Sequence, residues 1–214
     1  MIIGGETASS SRGLAAILIE LGGSEGYQLQ CSGSIIDNYW VLTAKHCLYG
    51  PHGRYSDSQV SVRVKSTQWS AGGGVVAVNL TKVRDVHDIA LLRLARSADA
   101  EPVSLASKHP EPGVTTYVFG WGTGSVDSKL RRGTEKYQNS TQYDDAYGGT
   151  GLFTKEIDGA PCSGDSGGPL FKLVDGSRYQ VGVVSWGPGD CSGPAVYAST
   201  PVSLDWINDV MRTY

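Results

Sequence analysis

The chain has 214 residues, a mass of 22.7 kDa, a formal net charge of −3 and a pI near 5.8. That length suffices for one large or two small cores, and the acidic balance argues against a nucleic-acid partner, which calls for a basic surface. The longest apolar stretch, 14–21, is broken by Glu20 and far too short to cross a bilayer, so no membrane partner is expected.

Short apolar runs separated by Gly, Ser, Asn and Asp clusters, with 29 glycines in all, describe many short strands joined by turns. In chain order, Trp40-Val41-Leu42 reads as a strand that runs into Thr43-Ala44-Lys45-His46-Cys47. Alternation at Val60, Val62 and Val64, then at Val76, Val78 and Leu80, marks two half-buried strands. Asp88 opens an apolar run that ends at Leu94, and 114–119 reads as a further strand. The segment Gly164-Asp165-Ser166-Gly167-Gly168-Pro169-Leu170 sets one serine among small and turn-forming residues and leads into a strand at 170–174. Tyr179, Val181 and Val183 alternate again, and 195–199 follows as the last strand. Only then does the period change. Trp206, Ile207, Val210, Met211 and Tyr214 share one helical face, with Pro201 and Ser203 as start signals.

Three of these segments carry chemistry. A glycine-rich loop can expose one hydroxyl and aim successive N–H groups into a pocket. A serine hydroxyl is a poor nucleophile at neutral pH and needs a base within reach. That base needs an acceptor to fix its tautomer and stabilise the imidazolium. Ser166, His46 and Asp88 are candidates for these roles. Their chain order, His, Asp, Ser, is that of the chymotrypsin-type barrels. Four cysteines, Cys31, Cys47, Cys162 and Cys191, allow three connectivities. Their spacing lacks the close pairs of a zinc site, no acidic calcium-binding loop is evident between Cys47 and Val60, and no cofactor or metal is expected. Disulfides point to a secreted, extracellular protein.

Taken together, the motifs resemble those of the trypsin/chymotrypsin family of serine proteases. Ile2-Ile3-Gly4-Gly5 resembles the family's mature N-terminus, 43–47 its histidine motif and 88–94 its aspartate strand. Gly120-Trp121-Gly122 matches a family turn, and 164–170 matches the nucleophile loop. Ser185-Trp186-Gly187 matches the substrate-binding strand, and Pro194-Ala195-Val196-Tyr197 resembles a pocket segment. The resemblance implies an all-β fold of two packed six-stranded antiparallel barrels with a C-terminal α-helix. The expected division is 1–99 for the first barrel, 100–200 for the second and 201–214 for the helix. The site would lie in the cleft between the barrels, near the 97–102 linker.

It also implies a secreted serine endopeptidase, a monomer that cleaves protein or peptide substrates through an acyl-enzyme and is open to protein inhibitors. Gly164 and Ser166 would form the oxyanion hole, and Thr43 and Ser185 would hold Asp88. The cysteines would pair as Cys31–Cys47 and Cys162–Cys191. Ala160, Ser185, Trp186, Gly187 and Ala195 would bind substrate. Ala160 stands where trypsin-like members carry the pocket acid, so an apolar pocket is expected. The alternative is basic specificity through Asp158 or Asp190. Ile2 would pair with Asp165 once its amine is free, so the form bearing Met1 is expected to be zymogen-like. A non-catalytic binding module on the same fold and an esterase are the competing functions.

Several features depart from the family pattern or stand outside it. Lys45 replaces a small residue before the histidine and must snorkel outward or find a partner. A disulfide common in the family is missing, so the segment from Lys129 to Leu152 is expected to be looser than usual. Asn79 and Asn139 lie in glycosylation triplets. His52, His87 and His109 read as surface or loop residues.

Overall fold

Strands with one apolar face avoid exposed edges most completely by closing a sheet on itself. The computed structural model describes residues 2–22, 26–122 and 127–214, in which two such closures occur. The first barrel is built from β1 (Leu14–Glu20), β2 (Tyr27–Asp37), β3 (Trp40–Thr43), β4 (Val60–Val64), β5 (Gly74–Val83) and β6 (Ala90–Leu94). Around the ring they pair in the order β1-β2-β3-β6-β5-β4 and back to β1, every pair antiparallel.

The second barrel comprises β7 (Thr115–Gly120), β8 (Arg131–Asn139), β9 (Gly151–Asp158), β10 (Pro169–Val174), β11 (Ser177–Trp186) and β12 (Ala195–Ser199). Its ring order, β7-β8-β9-β12-β11-β10, repeats the topology of the first. Two barrels with one connectivity therefore face each other across the cleft.

The inward residues differ between them. The first barrel is filled by aliphatic side chains such as Ile17, Val41, Leu42, Val62 and Leu92, all buried. The second mixes Val118, Leu152, Leu170 and Val181 with the buried polar pair Glu135 and Tyr197. The N-terminal segment joins this second barrel. Ile2 is buried in its core, Ile3 bridges Ala160, and Glu6–Thr7 pairs with the start of β8.

The C-terminal helix α1 (Thr200–Thr213) starts earlier than its sequence signals suggest. Ser199 caps it by accepting the Val202 N–H, which places Pro201 in the first turn, where a missing N–H costs nothing. Ser203 is then inside the helix, its hydroxyl returned to the Ser199 carbonyl. Ile207 and Val210 bury against the first barrel's cluster, while Tyr214 stays exposed beneath the Lys82 ammonium. Among the described residues no helix is long and apolar enough to cross a membrane.

The segment from Lys129 to Leu152 is not the loose loop its missing disulfide suggests. It contains the nine-residue strand β8 and a turn in which Asp145 and Gly149 exchange hydrogen bonds. In the 97–102 linker, Ala98 bonds the Asn38 carbonyl and Glu101 pairs with Arg12.

Candidate active site

His46 lies in a single 3₁₀ turn, Lys45–Leu48, that leaves β3. The disulfide Cys31–Cys47 ties this turn to β2. Asp88, fully buried, stands just before β6, which pairs with β3, so the two residues meet across adjacent strands. Asp88 Oδ1 accepts the His46 backbone N–H at 3.0 Å, and Oδ2 lies 2.7 Å from His46 Nδ1. A carboxylate on Nδ1 holds the proton there and leaves Nε2 free to act as a base.

Asp88 has further partners. Ser185 Oγ donates to Oδ2 at 2.7 Å. Thr43, expected to do the same, instead donates to the Ser32 carbonyl of the neighbouring strand β2 at 2.9 Å, which takes up its one hydroxyl proton. The Asp88 N–H donates to Asp145 Oδ2 at 3.0 Å, a contact between the two barrels that sequence reasoning missed.

Ser166 comes from the second barrel, in the turn before β10. Ser32 on β2 holds that turn from three sides. Its N–H donates to the Ser166 carbonyl at 2.8 Å, its Oγ donates to the Gly164 carbonyl at 3.0 Å, and the same Oγ accepts the Trp121 N–H at 3.1 Å. Gly167 packs directly on Thr43 and Ala44, the residues that lead into His46. A Cβ there would collide with Thr43 Oγ1 and the Ser32 carbonyl, and its φ of +78° belongs to glycine. Ser166 is thereby set against the His46 turn across the barrel junction.

Within the loop, the N–H groups of Asp165, Gly167 and Gly168 donate to Cys162, Val184 and Asp165 carbonyls. Those of Gly164 and Ser166 donate to no protein group among the described residues. Two N–H groups flanking a nucleophile and left open to the cleft can receive a developing oxyanion.

Asp165 is buried beneath this loop, its Oδ2 accepting the Cys162 N–H at 2.9 Å, and the Gly120 backbone presses against its carboxyl. Burial pushes its pKa up to about 6. The loop and the docked Ile2 share one core. The expectation about Met1 falls outside the described residues.

Beside Ser166 opens a cavity of about 210 Å³, walled by Cys162, Ser163, Val184, Trp186 and Gly187 among others. The disulfide Cys162–Cys191 closes one side. Trp186 Nε1 donates to the Asp144 carbonyl at 3.0 Å, and Tyr143 stands edge-on to its ring. Ala160 and Ala195 do not line this cavity. Ala160 is drawn into paired hydrogen bonds with Ile3, and Ala195 lies buried with its carbonyl bonded by Thr154. Neither acid proposed for a basic pocket is on the wall. Asp158 is exposed and accepts the Gly5 N–H at 3.2 Å, and Asp190 is exposed and accepts the Ser192 N–H at 3.1 Å.

A family model described as trypsin matches residues 2–207. The chain belongs to the trypsin family. Its members include Trypsin beta of Drosophila erecta, 35% identical over 96% of this chain and 87% of that protein. Trypsin alpha-4 of Lucilia cuprina is 33% identical over 96% of this chain and 86% of its own length. Trypsin alpha of Drosophila melanogaster is 35% identical, again over 96% and 86%. Membership in the trypsin family makes the chain a serine endopeptidase.

The remaining surprises lie around this site. Lys45 snorkels out, its ammonium 2.9 Å from the Asp85 carbonyl and 4.2 Å from the centre of the Tyr147 ring. His87 is half-buried, 3.6 Å from Asp145, and burial pushes its pKa down. His109 is also half-buried, bonded to Ser199 Oγ at 2.8 Å, while His52 is exposed. In the second barrel Glu135 is fully buried on β8 and accepts from Tyr197 Oη at 2.6 Å. Burial raises its pKa to about 7.

Proposed function

We propose that Ser166, His46 and Asp88 carry out peptide hydrolysis with the N–H groups of Gly164 and Ser166 as the oxyanion hole. Ser166 Oγ bonds to the carbonyl carbon of the scissile peptide as its proton passes to His46 Nε2. The oxygen left negative sits on the two free N–H groups, where losing one donor costs about 3–4 kcal/mol of transition-state stabilisation. Collapse breaks the C–N bond and His46 returns its proton to the departing amine. Water then repeats the sequence on the acyl-enzyme. The edge of β11 at 185–187 offers backbone groups that an extended peptide can join as an added strand. The chain acts as a secreted monomer. Its two disulfides suit an oxidising compartment, and protein inhibitors can lay a peptide along the same edge.

The preferred side chain before the cut is apolar. One observation carries this reading: the cavity beside Ser166 has no charged residue on its wall, Asp158 is bonded to Gly5, and Asp190, between the wall residues Gly189 and Cys191, is exposed and bonded to Ser192. A basic side chain would bury its charge without a partner there. The names of the related trypsins favour the second reading, a basic preference. Cleavage of a mixed peptide library by material starting at Ile2 decides between them. Leu, Met, Phe or Tyr is expected on the acyl side, with loose discrimination of about 1–3 kcal/mol per methylene. A dominant Arg or Lys overturns the apolar assignment.

The same material tests activation. We infer that a free Ile2 amine orders the oxyanion loop through Asp165 and that a chain retaining Met1 is zymogen-like; the burial of Ile2 in the second barrel's core supports this. Equal turnover by chains starting at Met1 and at Ile2 would remove this switch.

A further inference from the structure

The loop between β8 and β9 touches Asp88 and its neighbours Ser185 and Trp186, though it carries none of the reacting groups. Asp145 Oδ2 accepts the Asp88 N–H at 3.0 Å. The Ala146 N–H donates at 3.0 Å to Ser185 Oγ, which itself donates to Asp88 Oδ2 at 2.7 Å. The Asp144 carbonyl, one residue before Asp145, holds Trp186 at the pocket wall; the Tyr147 ring, two residues after it, lies under Lys45, next to His46. We propose that Asp145 is a positioning residue of the protease, the keystone of a second-barrel clamp that fixes the catalytic aspartate of the first barrel. This rests on the reading of Asp88 and His46 as two members of the triad.

The geometry of the carboxylate separates two tasks. Oδ1 accepts the N–H groups of Tyr147 at 2.9 Å and Gly149 at 3.0 Å, which shapes the loop. Oδ2 is turned away from the loop, toward Asp88 and His87 Nδ1. Asp145 is 4% exposed, and burying a charge is costly unless it is well bonded. Three N–H donors and the field of Arg84, itself anchored on Val202 and Ser203 of the helix, offset that cost. His87 Nδ1 stands 3.6 Å from Oδ2, beyond hydrogen-bond distance, whereas the Asp88 N–H bonds it at 3.0 Å. A surface loop needing only a tight turn would not need this second oxygen.

The Asp145→Asn variant exploits that separation. An amide oxygen in the Oδ1 position keeps the bonds to Tyr147 and Gly149, while the amide nitrogen faces the Asp88 N–H, donor against donor. In the full chain starting at Ile2, kcat is expected to fall about tenfold with KM within about twofold, as for a small misplacement of a catalytic group. The acidic limb of the kcat/KM profile should move down by about half a pH unit, since a negative charge supporting the protonated base is gone. Wild-type kcat with an unmoved acidic limb, or a change confined to KM, overturns the proposal.

Thermal melting checks that the variant is folded. If D145N does not fold, Asp145→Ser, which keeps a short acceptor for the Tyr147 N–H and leaves no buried amide, gives the same comparison. Phosphonate labelling of Ser166 in the parent chain separates the two levels of the argument. A labelled parent with an unaffected D145N removes the clamp alone, and an unlabelled parent removes the triad reading and the clamp with it.

Discussion

The two barrels share one strand order but not one interior. Among the described residues four carboxylates are buried: Asp88 belongs to the first barrel, and Glu135, Asp145 and Asp165 to the second barrel and its loops. The first barrel is an apolar stand that presents a histidine and one acid at its rim. The second stores ionisable groups under the serine loop, in its interior and against the partner barrel's acid. Identical topology thus encloses two different interiors, largely aliphatic on one side and partly ionisable on the other. A fold's connectivity does not dictate what its core is made of.

The largest effect expected on either side is loss of a reacting group. His46→Ala and Ser166→Ala each lower kcat by about 10⁶-fold, and the double variant is no worse, because the residues act as a unit. Steady-state hydrolysis with intact melting curves checks this; additive losses would mean that the two barrels contribute independently. Removing the disulfides is the next test. Replacing the Cys31–Cys47 pair, which closes 16 residues of the apolar barrel, should cost about 3 kcal/mol of stability. Replacing Cys162–Cys191, which borders the pocket, should cost a similar amount and also loosen selectivity, seen as a flatter peptide-library profile. If the first replacement flattened the profile as much, the division of labour would fail.

The last effect, confined to alkaline pH, is the most specific to the second barrel. Glu135 has its pKa raised from 4.5 to about 7, so its contribution is fully present below about pH 4.5 and is lost as pH rises through 7. Glu135→Gln keeps an acceptor for Tyr197 and removes the charge. It should stabilise the protein by about 3 kcal/mol at pH 8 and change little near pH 4.5. Denaturant titrations at the two pH values read this directly. A destabilised variant at pH 8 would show that the Glu135–Tyr197 bond needs a charged acceptor.

Much of the site is legible in the sequence because its parts are local. Asp88 is followed at once by its strand, His46 directly precedes a cysteine, and Ser166 sits inside its own glycine loop. The supporting shell is not local. Asp145 meets Asp88 from 57 residues away, and nothing in its neighbourhood distinguishes it from a turn-forming aspartate. Only the short Asp-Ala-Tyr-Gly-Gly run hints at the Asx-type turn it makes. Glu135 follows the inward alternation of Gly133 and Tyr137, yet an acid at an apolar position reads as a surface strand until Tyr197, 62 residues on, supplies its partner. Thr43 shows the reverse error. Its place in the motif suggested the acid, whereas the strand beside it offered a carbonyl. The helix began early because a capping hydroxyl at Ser199 can do its work from the end of a strand.

Ser32 gives the molecule a property that belongs to neither barrel. Three hydrogen bonds from one residue of the first barrel hold the carbonyls of Gly164 and Ser166 and the Trp121 amide of the second. The conformation of the Ser166 loop is therefore shared property: two of its carbonyls are held by a residue of the other barrel, so its geometry depends on how the two barrels meet.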